Sequence, residues 1–62
     1  MAVNRVAEFR HARGLTQEQA ARAAGLTLTG WRWIEQGKRT PSVATAARIA
    51  AALDVTIDDL FC

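Results

Sequence analysis

Sixty-two residues allow one domain at most, and so short a chain buries only about 60% of its unfolded surface. A single cysteine, Cys62, and a single histidine, His11, exclude an internal disulfide and a metal cluster, so stability has to come from dense helix packing and self-association. Net charge is +2, but all eight basic residues lie between Arg5 and Arg48 against only three acids there, so that stretch carries +5 and suits a polyanion.

The elements read as five short helices. Ala is abundant and no β-alternation of useful length occurs. The first helix spans about Asn4 to Arg13, with Val6, Phe9 and Ala12/Arg13 at helical spacing and Gly14 as its stop. The second is Thr16–Ala24. It opens on the capping box Thr16-Gln17-Glu18-Gln19, presents Ala20, Ala21 and Ala24 inward, and ends at Gly25. The third, about residues 27–36, has Thr27 as N-cap, a Leu26/Trp31 staple and Gly37 as its stop. Gly30 lies inside it at a cost of about 1 kcal/mol relative to Ala.

A basic loop, Lys38-Arg39-Thr40-Pro41, leads to a fourth helix capped by Ser42. Its apolar spacing takes in Val43, Ala46, Ala47, Ile49, Ala50 and Leu53. Thr56 caps a fifth helix, with Val55 and Leu60 as a staple pair. Asp58 and Asp59 lie in its first turn, where the helix dipole favours negative charge, a sufficient structural reason for both.

Two short helices meeting at Ala24-Gly25-Leu26-Thr27 have the helix-turn-helix spacing, over about residues 16–36. Such a turn makes the second helix project from the body, and its N-terminal half then fits a major groove about 12 Å wide.

The residues Gly14-Leu15-Thr16-Gln17-Glu18-Gln19-Ala20-Ala21, Gly25, Trp31, Ile34-Glu35-Gln36-Gly37-Lys38 and Pro41-Ser42 occur in one register. Together with the closing run Ala52 to Phe61, they resemble the phage-repressor and Cro-type helix-turn-helix domains over nearly the whole chain. The resemblance implies an all-α, five-helix, lambda-repressor-like fold. It implies that Gln17 and Thr27 at helix starts, and Gln36, Lys38 and Arg39 after the third helix, contact phosphate. It sets Leu28, Thr29 and Trp33 at base-reading positions. It pairs Arg10 with Glu35 as a structural ion pair and makes the start of the last helix, with Val55, Ile57 and Phe61, a dimer contact.

Two departures from the family bear on function. Leu28 and Trp33 are apolar where the family usually has Gln, Arg, Ser or Lys. Neither can read G or A bidentately, though both suit a thymine methyl, and Arg32, one turn on from Leu28, suits guanine or phosphate. In addition, Ala20 and Ala24 are smaller than the family's aliphatics while Trp31 is larger than its Ile or Val. The large ring is expected to fill the volume the alanines leave.

The function expected is a dimeric transcriptional regulator, most simply a repressor, on a palindromic double-stranded DNA operator. The alternative is a protein-interaction module on the same fold, using an exposed Leu28/Trp33 face. No nucleophile–base pair, carboxylate pair or phosphate-cradling Gly loop is present, so no enzymatic activity, cofactor or small-molecule ligand is expected. With no leader and no apolar run of about 18 residues, a soluble cytoplasmic protein is expected. His11 reads as a surface residue, and Cys62 as idle unless oxidation cross-links a dimer.

Overall fold

The computed structural model describes residues 4–61, which form five helices. These are α1 (Val6–Ala12), α2 (Gln17–Ala23), α3 (Leu28–Glu35), α4 (Val43–Leu53) and α5 (Ile57–Phe61). The position of Cys62 lies outside the described residues.

Hydroxyl side chains start four of the five helices. Thr16 accepts from the Gln19 amide at 3.0 Å while the Gln19 side chain accepts from the Thr16 amide at 2.9 Å, a complete capping box. Thr27 caps α3 through the Gly30 amide, and Ser42 caps α4 through the Thr45 amide. Thr56 and Asp59 cap α5 reciprocally, at 3.0 and 2.9 Å. Hydrogen bonds from Thr56 hold the Asp59 carboxyl below its ordinary range.

α1 begins differently. Arg5 makes no side-chain cap. Instead Asn4 accepts from the Val6 amide at 3.1 Å and donates through Nδ2 to the Ile34 carbonyl at 2.7 Å. One short side chain thus starts α1 and joins the Gly37 amide on a carbonyl at the end of α3. The Arg5 amide also donates to the Leu60 carbonyl at 2.8 Å, which ties the start of the described chain to α5.

The core joins Val6 of α1, Ala20 and Ala21 of α2 and Ala24 just past it, Trp31 and Ile34 of α3, Ile49, Ala50 and Leu53 of α4, and Leu60 of α5. Trp31 is fully buried and is the largest of these side chains. It occupies the same cluster as the three alanines, so small residues on α2 admit one large ring from α3. Leu26 and Val55, the outer members of the two staples, pack half-buried against this cluster.

The apolar stripe of α4 is narrower than its sequence spacing suggests. Ala46, Ile49, Ala50 and Leu53 are buried, but Val43 is 81% exposed and Ala47 is exposed as well. Residues four apart stack in one row along a helix. The row Val43–Ala47–Ala51 lies beside the covered face rather than on it.

Candidate nucleic-acid interface

α2 and α3 are joined by Ala24-Gly25-Leu26-Thr27. Gly25 has φ +71°, a left-handed conformation that costs an L side chain about 1–2 kcal/mol. The turn is also clamped from α4. Arg48 donates through Nε to the Ala24 carbonyl at 2.9 Å and through Nη2 to the Gly25 carbonyl at 2.8 Å. A Cβ on Gly25 would come within 3.2 Å of that guanidinium. Arg48 is a surface cation by sequence. Only the folded chain brings it to the turn.

A buried carboxylate orients α3 from its other side. Glu35 accepts two bonds from Arg10 of α1, from Nε at 2.9 Å and Nη2 at 3.0 Å. It also accepts from the Trp31 indole N–H and, at 3.3 Å, from Nε2 of Gln17 at the head of α2. Arg10 also donates through Nη1 to the Leu15 carbonyl at 2.8 Å, and its Nη2 lies 3.3 Å from Nε2 of His11. The Arg10 and Glu35 side chains are only 10% and 8% exposed. Burial pushes the Glu35 carboxyl up, but the hydrogen bonds from Arg10, Trp31 and Gln17 outweigh it and leave the group below its ordinary range. Three helices thus meet on one side chain. Such a pair specifies orientation more surely than it adds stability, since both charges lose water.

With Trp31 and Ile34 turned inward, α3 faces solvent with Leu28, Thr29, Arg32 and Trp33. Leu28 is 40% and Trp33 46% exposed. Thr29, Arg32, Trp33, Gln36 and Lys38 line a shallow open depression along this face. The Arg39 guanidinium lies 5.9 Å from the centre of the Trp33 ring, within cation–π range. Thr27 is exposed, with its hydroxyl engaged on the Gly30 amide. Gln17 is half-buried, with its amide on Glu35. Val55, Ile57 and Phe61 are half-buried against the core, and His11 is exposed.

The charges are sorted. Arg5, Arg10, Arg13 and Arg22 pair with Glu8, Glu35, Asp54 and Glu18 respectively. Among the described residues, Arg32, Lys38, Arg39 and Arg48 have no carboxylate partner; Arg48 is engaged on the turn carbonyls, and the other three stand on or beside the exposed face of α3. No group of His, Cys, Asp and Glu able to hold a metal ion occurs among the described residues. No helix there is long and apolar enough to cross a membrane.

The family model for the helix-turn-helix domain matches residues 3–60. The chain belongs to that family. Over 57 residues it is 39% identical to an uncharacterized HTH-type transcriptional regulator of Archaeoglobus fulgidus, covering 92% of this chain and 81% of that protein. It is 38% identical over 56 residues to the cryptic phage CTXphi transcriptional repressor RstR of Vibrio cholerae, covering 90% of this chain and 50% of RstR. The fold matches the restriction-modification controller protein C.AhdI from Aeromonas hydrophila with a TM-score of 0.88 at 37% identity, over 92% of this chain and 86% of that one. The all-helical, five-helix fold expected from the sequence is the one observed. Family and relatives agree with the sequence in making this chain a DNA-binding regulator of transcription.

Proposed function

We propose that this helix-turn-helix domain binds double-stranded DNA as a homodimer on a palindromic operator and represses transcription there. The observation that carries the reading is the sorting of charge. The cations Arg32, Lys38 and Arg39, which have no carboxylate partner, flank an exposed helix face, while Arg5, Arg10, Arg13 and Arg22 each have a carboxylate beside them and Arg48 is engaged on carbonyls of the turn. Cations left free next to a projecting helix suit a polyanion whose major groove admits that helix.

In this reading α3 is the recognition helix. Leu28, Thr29, Arg32 and Trp33 meet base edges, and Gln17, Thr27, Gln36, Lys38 and Arg39 meet phosphates and set the register. Val55, Ile57 and Phe61 form the dimer contact, so that two copies of α3 enter successive major grooves about 34 Å apart.

The test is titration of the reduced protein into a labelled mixed-sequence duplex at several salt concentrations. Neutralising about six phosphates per dimer gives a log–log slope near −5. Absence of binding at low salt refutes the reading. The exposed Leu28 and Trp33 would then be the surface to probe for a protein partner.

A further inference from the structure

We infer that the recognition helix reads C5-methyl groups in the major groove, and that its operator half-site places such methyls under Leu28 and Trp33. The inference rests on the DNA-binding reading and names the chemistry of the site that reading requires.

The large apolar side chains on the outward face of α3 are Leu28 and Trp33, 40% and 46% exposed. Neither can accept or donate to a base edge through Leu carbons or the indole face. Pressed into the groove over N7, O6 or N4 groups, Leu28 and the carbon face of Trp33 would strip water from those atoms and return no hydrogen bond, the indole N–H at the ring edge being the pair's single donor. The one apolar feature a base pair shows there is the methyl at C5 of thymine. A methylated cytosine carries the same group at the same ring position, so the shared chemistry is the C5-methyl.

The Trp33 ring is also held in place. The Arg39 guanidinium covers it at 5.9 Å, and the depression beside it is walled by Thr29, Arg32, Gln36 and Lys38. That contact favours an indole laid along the depression as an apolar wall. Thr29 lies one turn before Trp33, and Arg32 one turn after Leu28. The face therefore alternates apolar groups with one strong donor. That set matches methyl groups close to a guanine, which Arg reads at O6 and N7. Leu28 and Trp33 lie five positions apart, roughly 7.5 Å of helix rise, so each is expected to meet a different base pair.

The experiment starts with selection of bound duplexes from a random pool, run once with unmodified DNA and once with C5-methylated cytosine. Each thymine of the selected half-site is then replaced by deoxyuridine, which removes the methyl and leaves the pairing edge unchanged. The expected result is a loss of affinity of about fourfold at each of two thymines, the worth of one buried methyl. Leu28→Ala should abolish the loss at one of them and Trp33→Ala at the other. Both variants change exposed residues, and far-UV circular dichroism checks that they fold. If the methylated pool instead yields methylcytosine at those positions and removing that methyl weakens binding, the methyl reading holds with cytosine as its source. Salt-dependent binding with no methyl effect in either pool overturns this inference alone. Absence of salt-dependent binding to any duplex overturns the proposed function and this inference with it.

Discussion

Trp31 gives the sharpest test of how this small core is built. The ring is fully buried among alanines of α2, and its N–H is held by Glu35. Burying an aromatic side chain of this size removes about 200 Å² from water, or about 5 kcal/mol at ~25 cal/mol per Å². A valine in its place recovers about 2 kcal/mol of that. Trp31→Val should therefore destabilise by about 3 kcal/mol, within the range expected when a large core side chain is cut down and the site relaxes only in part. Loss of the indole donor adds about 1 kcal/mol, kept small because Arg10 and Gln17 still satisfy the carboxylate. The total stability expected for 62 residues is only about 3–9 kcal/mol. Trp31→Phe keeps a ring and loses the donor, so it should cost about 1–2 kcal/mol and lower Tm by roughly 5–15 °C. Far-UV circular dichroism during urea unfolding measures both variants without depending on tryptophan fluorescence. A Trp31→Val protein within about 0.5 kcal/mol of the parent would refute the view that the ring fills the space left by the alanines.

Four further outcomes are expected. Acid should destabilise the fold through Glu35. Its carboxyl lies below its reference value of 4.5 in the folded chain, so its contribution is complete above that pH and fades as pH falls through the lower folded value; urea titrations from pH 7 to pH 3 should show a flatter pH dependence for Glu35→Gln. Gly25→Ala should cost about 1–2 kcal/mol from the positive φ alone, with a further loss from contact with Arg48, measured as a shift in the urea midpoint. Lys38→Ala and Arg39→Ala should each weaken binding to any duplex and reduce the salt slope by about 1, with no change in urea midpoint beyond about 0.5 kcal/mol. Val43→Lys should be nearly neutral in the same unfolding assay, within about 0.5 kcal/mol, because Val43 is 81% exposed.

What sequence reasoning reaches here is set by how local the physics is. Capping residues act within one turn, so Thr16, Thr27, Ser42 and Thr56 mark the four helix starts they occupy. The stops at Gly14, Gly25 and Gly37 are local in the same sense, and all three have positive φ. α1 is legible in part: Asn4 accepts locally from the Val6 amide, but its second bond, to the Ile34 carbonyl thirty residues away, is set only by the fold. The apolar spacing of α4 is also incomplete information. It allows Val43 and Ala47 onto the inner face, and only the real neighbours of the helix decide which row is covered. In the interface, the outward position of Leu28 and Trp33 follows from helical spacing once Trp31 and Ile34 are core residues. The clamp of Arg48 on the turn does not, because a cation on a mostly alanine helix looks the same whether it faces solvent or a carbonyl.

The long-range contacts share a purpose that the core alone does not serve. A core of aliphatics, alanines and one tryptophan is weakly directional, because the hydrophobic effect depends on area rather than angle. Hydrogen bonds to defined carbonyls and carboxylates depend on both distance and angle. Asn4 holds the C-terminal end of α3, Glu35 ties it to α1 and α2, and Arg48 fixes the turn before it. The helix that faces solvent with Leu28, Thr29, Arg32 and Trp33 is thus held near both ends by polar contacts from outside the turn. An error of one residue step in its rotation would swing these side chains by about 100° and bring Trp31 toward solvent. A small domain that presents a reading face to DNA needs that rotation fixed more than it needs extra stability. This accounts for a buried ion pair in a chain with so little apolar core to spare.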